Sequence, residues 1–181
     1  MMKKTLMLAG MIAAGVALTS TSALADTQGT QTFTANIAAN TCTLNNLDRV
    51  FNFNLIGSTN PGKYKTWTAD TAEIKVTGCD SSVTELKVTP TYTHYFNAIQ
   101  NQGTLGSNLY AELLNSIDNP TPPVVGSGST GPVWSSGSEK TVDITNGEAT
   151  MKYYVDVISS VDSKKLTGTL ESTVSFLVDM Q

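Results

Sequence analysis

The sequence has few of the residues that usually carry catalysis or bind metals. Its 181 residues include one histidine, His94, and two cysteines, Cys42 and Cys79. A hydrolytic triad needs a histidine near a nucleophile and an orienting acid, and His94 lies among aromatic residues in PTYTHYFN without such partners nearby. Two cysteines and one histidine also fall short of the four ligands of a structural zinc site. We therefore predict no enzymatic activity, no metal and no cofactor.

The chain also lacks an excess of positive charge. It has 11 Lys and Arg against 15 Asp and Glu, for a net charge of −4. Proteins that bind nucleic acid neutralise phosphates with basic patches. Nucleic acid is therefore excluded as an expected partner.

The first 25 residues, MMKKTLMLAGMIAAGVALTSTSALA, have the pattern of a secretory signal peptide. Lys3 and Lys4 precede an apolar run, and Ala23-Leu24-Ala25 offers a small-residue cleavage site. A transmembrane anchor is the alternative, but the apolar run is short for a bilayer and is interrupted by Gly and Thr. Cleavage after Ala25 would leave 156 residues with a net charge of about −6, which is enough for one domain.

The two cysteines both fall after the signal peptide. An even number of cysteines in a secreted chain favours a disulfide. We predict that Cys42 and Cys79 are bonded, joining the first strand to a strand that begins near Ala72.

Apolar residues alternate with polar ones in many short segments, as in half-buried strands. Turn signals rich in Gly, Asn and Ser separate these segments, at spacings typical of an all-β sandwich. The alternating segments are 33–39, 51–55, 72–76, 86–88, 109–113, 142–144, 151–157 and 174–180. The turn signals are 58–63, 77–82, 101–107 and 145–148.

The stretch NPTPPVVGSGSTGPVW, 119–134, is rich in Pro, Gly and Ser and has no periodicity. It predicts a long surface loop inside one domain. A linker between domains is the alternative, but the 47 residues after Trp134 are few for a second sandwich.

Four aromatic residues, Trp67, Tyr92, Tyr95 and Trp134, raise the question of a sugar-stacking surface. They share no motif. We therefore favour the interpretation that they belong to the core or rim of the sandwich.

Taken together, the signal peptide and three segments resemble the pilin subunits of chaperone-usher fimbriae of Gram-negative bacteria. The segments are TFTANIAANTCTL with Cys42 in its first strand, IKVTGCD with Cys79, and the C-terminal GTLESTVSFLVDM. The resemblance covers the whole chain after residue 25. It implies an immunoglobulin-like sandwich that lacks its last strand and is completed by a donor strand.

The C-terminal segment carries the most specific part of the resemblance. Gly168 is fourteenth from the end, and Val174, Phe176 and Val178 keep the alternation of the family. Met180 stands where the family usually has an aromatic residue, and a flexible thioether can also fill an apolar pocket. The resemblance implies that this segment borders an open groove, that a periplasmic chaperone first lends a strand to it, and that the N-terminal extension of the next subunit replaces that strand at the usher.

The resemblance also implies a donor strand at the N-terminal side, since subunits polymerise by adding a strand to a neighbour. The candidate is DTQGTQTFTAN, with Gly29, Gln31, Phe33 and Ala35 on one face. The implied division is a signal peptide 1–25, a donor extension 26–36 running into the first strand, and a pilin domain 37–181. The implied partners are a periplasmic chaperone, an outer-membrane usher, and other copies of the chain or sister pilins.

Three functions fit the sequence. The first is a structural subunit that polymerises by donor-strand exchange, is exported through the periplasm to a surface fimbria and supports cell adhesion. The second is a single-domain fimbrial adhesin with a host glycan or protein as receptor. The third is a free secreted β-sandwich binding module, which would have a closed sheet.

Overall fold

The computed structural model describes residues 28–37, 42–45, 49–54, 61–129, 131–162, 166 and 168–181. Strands 28–37 and 49–54 are described by their backbone and register. The predicted signal peptide, 1–25, lies outside the described residues. Within the described ranges no helix is both long and apolar enough to cross a membrane.

The described residues form eleven strands and one short 3-10 helix, Gly106–Asn108. The strands are β1 Gln28–Ile37, β2 Thr43–Asn45, β3 Arg49–Asn54, β4 Thr66–Thr77, β5 Glu85–Tyr92, β6 His94–Tyr95, β7 Ala98–Ile99, β8 Leu109–Asn115, β9 Lys140–Asp143, β10 Ala149–Ser159 and β11 Leu170–Met180.

The strands build two sheets. The first has the order β3-β1-β11-β5-β9, and the second has the order β2-β4-β10-β8-β7-β6. All the described pairs are antiparallel except β1 with β11, which is parallel. The predicted all-β sandwich is confirmed.

Alternation in the sequence explains which face of each strand is buried. In β10 the residues Met151, Tyr153, Val155 and Val157 belong to one core cluster. The same cluster receives Ile74 and Val76 of β4 and alternate residues of β5, β8 and β11. The core therefore lies between the two sheets, as the period of two requires.

The strand order is immunoglobulin-like. That fold places four strands, A-B-E-D, in one sheet and C-F-G in the other. Here β2-β4-β10-β8 correspond to the first set, and β5-β11 correspond to strands C and F. The position of the seventh strand, G, beside β11 is occupied by β1.

Several local expectations change in detail. Cys42 lies between β1 and β2 rather than in the first strand, and the strand before Cys79 begins at Thr66 rather than near Ala72. The predicted turn at 101–107 contains the start of the 3-10 helix. β4 is longer than its alternating residues because its main-chain pairing with β10 continues back to Thr66, which is level with Ile158.

The stretch 119–134 lies between β8 and β9, as predicted, but it is anchored to the second sheet. Thr66 N donates to Ser127 O at 2.7 Å, and Gly126 N donates to Thr66 O at 2.8 Å. Trp134 is buried in the core, and its backbone N donates to Leu113 O at 2.7 Å. The segment is therefore hydrogen-bonded to β4 and β8, and its last residue enters the core between the sheets.

Candidate functional site

The inward face of β11 is the centre of the candidate site. Its buried residues alternate with exposed ones along the whole strand, and Leu177 on the outer face is 56% exposed. The buried residues are Leu170, Ser172, Val174, Phe176, Val178 and Met180. Met180 is thus buried at the position where the resemblance implies an aromatic residue.

Phe176 joins the two sheets through aromatic contacts. Its ring centroid is 5.1 Å from that of Tyr153 on β10 and 5.6 Å from that of Trp134. The Trp134 indole donates to Ser138 O at 2.7 Å, and the Tyr92 hydroxyl donates to Trp134 O at 2.8 Å. These aromatic residues, whose polar groups are hydrogen-bonded, pack in the core beneath β11.

Gly168 lets the chain enter β11 along a tight path. Its φ is +142°, and an added Cβ would lie 2.7 Å from Thr104 Oγ1 and 3.2 Å from Leu105 N. A side chain at this position would meet backbone as well as side-chain atoms. Glycine is required here by space and by conformation.

The beginning of β11 is held by the loop 101–105. Asn101 Oδ1 accepts from Glu171 N at 2.9 Å, and Asn101 Nδ2 donates to Thr169 O at 3.3 Å. Thr104 N donates to Thr169 Oγ1 at 3.0 Å, and Thr169 N donates to Thr104 Oγ1 at 2.8 Å. Sequence reasoning missed these residues, because isolated Asn and Thr residues in a turn carry no periodic signal.

The end of β11 is tied to β5. Gln181 N donates to Glu85 O at 3.0 Å, and Glu85 N donates to Gln181 O at 2.8 Å. Lys87 Nζ donates to Gln181 Oε1 at 2.7 Å. The strand is therefore paired along its β5 side up to Gln181.

The other side of β11 is paired with β1 of the same chain. The two strands run parallel over nine register pairs, while β1 is antiparallel to β3 on its far side. The predicted donor residues are aligned with β11 in the following register pairs: Gly29 with Leu170, Gln31 with Ser172, Phe33 with Val174, and Ala35 with Phe176.

This arrangement differs from an open groove beside the last strand. The backbone N–H and C=O groups of an unpaired edge attract another strand, and in this chain β1 pairs with that edge. The position beside β11 is consequently filled within a single chain. The donor role of Gly29, Gln31, Phe33 and Ala35 and the acceptor role of β11 toward a second chain stay predictions.

One polar group inside the site is unsatisfied. The Ser172 hydroxyl is buried and has no hydrogen-bond partner among the described residues. Such a group costs free energy unless it is paired. Its level in the register is that of Gln31, so the polar residue in the donor segment coincides with a polar position in β11.

The predicted disulfide is present. Cys42 and Cys79 are bonded, with their Cα atoms 4.1 Å apart. Cys79 N donates to Gly147 O at 3.1 Å. The bond therefore fixes the chain just after β1 to the end of β4 in the second sheet.

The remaining residues that the sequence singled out lie apart from β11 or inside the core. Trp67, Tyr92 and Trp134 are core residues, as favoured over a sugar-stacking surface, whereas Tyr95 is exposed. His94 is exposed on the short strand β6. The aromatic residues thus form no single stacking platform.

Comparisons with known proteins find a similarity of structure. No family model and no curated protein matches the chain. The crystal structure of an antigen and type I fimbria protein of Burkholderia pseudomallei is similar, with a TM-score of 0.42 and 18% identity, over 83% of this chain and 94% of that chain. A likeness at this level leaves the function to be argued from the geometry of β1 and β11.

Proposed function

We propose that the chain is a structural subunit of a chaperone-usher fimbria and polymerises by exchanging the strand beside β11. Its own β1 would leave that position, and the corresponding strand of another subunit would take it. The subunit is exported to the cell surface and supports adhesion. No catalytic step is involved.

The observation that carries the proposal is the parallel pairing of β1 with β11. The last strand of an immunoglobulin-like sheet is normally antiparallel to strand F, and here an N-terminal segment fills its position in the opposite sense. Parallel pairing is slightly less stable per residue than antiparallel pairing. An antiparallel strand from a second subunit would therefore have an advantage in backbone hydrogen bonding.

The chemistry of β11 suits exchange of a neighbouring strand. Backbone hydrogen bonds supply affinity for any extended segment, and buried residues at every second position select the side chains that fit. Against exchange stands the high effective concentration of a strand in the same chain. A periplasmic chaperone that supplies a strand and an usher that orders its replacement would favour exchange over this intramolecular pairing.

The test uses cysteine pairs that lock one neighbour of β11 at a time. Thr32 is level with Thr173 across the β1–β11 pair, and both residues are at least partly exposed. The double variant Thr32→Cys/Thr173→Cys should form a second disulfide that retains β1. Fibres on cells producing this variant as their only copy of the chain should disappear in electron micrographs.

The matched control locks the other side of the same strand. Ser175 is level with Thr91 across the β11–β5 pair, and that pair persists during exchange. Thr91→Cys/Ser175→Cys should give fibres of normal length. Mass spectrometry of both proteins verifies the added bond, and normal fibres built from fully locked Thr32→Cys/Thr173→Cys subunits would overturn the proposal.

A second function has one observation in its favour. A free secreted binding module needs no strand from another chain, and here β1 of the same chain fills the position beside β11. Such a module would remain monomeric with or without the β1 lock, and deleting its gene would leave surface fibres unchanged. The same set of strains therefore separates the two functions.

A further inference from the structure

A cavity of about 400 Å³ opens on the second sheet, the layer that does not contain β1 and β11. Four aromatic residues and one acid form most of its wall: Tyr64, Tyr95, Phe96, Tyr110 and Glu112. This volume lies in the range of small-molecule sites, which combine apolar walls with few polar groups.

The aromatic residues at the mouth are unusually exposed. Phe96 is 81% exposed and Tyr64 is 57% exposed. The ring centroids of Tyr95 and Phe96 are 4.8 Å apart in an edge-to-face arrangement. Patches of large apolar groups exposed to water are typical of surfaces that contact another molecule.

The backbone at Phe96 is also unfavourable for its side chain. Phe96 and Asn97 form the two-residue connection between β6 and β7, and Phe96 has a φ of +53°. Turns of this length favour Gly, Asn or Asp at positions of positive φ. At 146–147 the same chain uses Asn-Gly, with φ values of +54° and +76°.

Tyr64 repeats this feature. Its φ is +59°, so the two most exposed aromatic residues of the mouth both have a left-handed backbone. Bulky residues in that conformation are strained, and such strain is often retained at ligand clamps. Gly or Asn would suit a positive φ better than a bulky side chain, which points to the aromatic ring as the reason for the residue type.

The wall contains one buried acid and no basic residue among its described lining residues. Glu112 is 9% exposed, and its Oε2 accepts a hydrogen bond from Ser129 Oγ at 2.6 Å. Burial raises the pKa of the Glu112 carboxyl. Asp156 on the adjacent strand β10 is level with Glu112 and is fully buried. Its Oδ1 has no hydrogen-bond partner among the described residues. None of the described lining residues is Lys, Arg or His.

We propose that this cavity binds an alkylammonium group, with the aromatic rings around the cation and the Glu112 carboxylate as its counter-ion. The negative faces of aromatic rings attract ammonium groups, and a cation would compensate the desolvated acid. The Tyr64 ring already receives such a group, since Lys63 Nζ lies 4.9 Å from its centroid.

The experiment titrates the purified protein with defined probes by NMR. N-acetyl-lysine methylamide tests a lysine side chain as the source of the cation, and tetramethylammonium tests a free quaternary amine. The neutral norleucine analogue and a panel of methyl glycosides are the comparison ligands. We expect saturable shifts of residues around the cavity with at least one ammonium probe, and at least tenfold weaker binding of the neutral analogue.

Two variants address the roles of the wall. Glu112→Gln should weaken ammonium binding about tenfold, as expected for loss of a charged partner, whereas Glu148→Gln at an exposed site should leave it unchanged. Phe96→Gly should weaken binding while the melting temperature stays the same or rises, because glycine relieves the turn. A loss of affinity without a loss of stability would show that Phe96 acts in binding, because a residue with a structural role would lower the melting temperature when it is replaced.

Three results would overturn the proposal: no saturable shift with either ammonium probe, equal binding of the norleucine analogue, or preferential binding of a glycoside. The last result would identify a sugar site instead. Each outcome is independent of strand exchange, because the cavity and β11 lie in different sheets.

Discussion

Glu112 and Asp156 lie directly opposite each other on the neighbouring strands β8 and β10, and both are buried. Thr66 Oγ1 donates to Asp156 Oδ2 at 3.1 Å. Like charges at such positions repel each other. Burial, opposed by the Thr66 hydrogen bond, and the charge of Glu112 together raise the pKa of Asp156 to about 7.

The raised pKa of Asp156 predicts that stability falls as pH rises. An unfolded Asp titrates near 3.9, so folding takes up a proton between about pH 4 and pH 7. The free energy of unfolding should be highest below that window and should decrease through it, by up to about 4 kcal/mol. Urea denaturation at pH 5 and pH 8 measures the difference.

The neutral variant Asp156→Asn should flatten most of this pH dependence and stabilise the protein at pH 8. Asp143→Asn, at an exposed position on β9, should keep the dependence of the parent protein. An unchanged slope in Asp156→Asn would contradict the assignment.

Phe176→Ala should remove a large part of the stability. The ring packs against Tyr153 and Trp134 across the sandwich, and deleting a buried phenyl group costs about 3–5 kcal/mol. Leu177→Ala, on the exposed face of the same strand, should change the free energy of unfolding by about 0.5 kcal/mol or less. Equal effects of the two variants in urea denaturation would place the core elsewhere.

Gly168→Ala should destabilise the protein more than Gly126→Ala. Both residues have positive φ, but an added Cβ at Gly126 meets nothing within 4 Å, whereas one at Gly168 would overlap Thr104. The conformational cost alone is about 1–2 kcal/mol, and the overlap adds to it only at Gly168. Melting temperatures of the two variants rank them, and a smaller loss at Gly168 would refute the steric argument.

Replacing both cysteines should test the disulfide. Cys42 and Cys79 are 37 residues apart, and closing such a loop stabilises the folded state by about 4 kcal/mol in the chain-entropy account. Cys42→Ser/Cys79→Ser should lose an amount of that order in urea denaturation. The reduced parent protein is the control and should resemble the variant.

Period-two alternation in the sequence predicted segments that overlap eight of the eleven described strands, and the inward faces of β10 and β11, because burial of one face imposes that pattern. The short strands β2, β6 and β7 show too few residues for such a pattern and were not predicted. The alternation did not identify the partner of β1, since the pattern marks a strand without naming its neighbour. Because Val155 and Val157 face the core, Asp156 between them lies on the opposite face of β10, where it is nevertheless buried. Its neighbour on that face, Glu112, is hydrogen-bonded to Ser129 in the segment between β8 and β9, and aperiodic loops carry no signal for what they contact.

The disulfide limits how far β1 can move from the second sheet. β1 ends at Ile37, only five residues before Cys42, which is fixed to the second sheet. A chain extends at most about 3.3–3.6 Å per residue. A strand released from β11 would therefore carry Ile37 no further than about 18 Å from Cys42 and Gly29 no further than about 47 Å. If the strand pairs with a neighbouring subunit, its covalent connection to Cys42 limits the axial rise between successive subunits of the fibre.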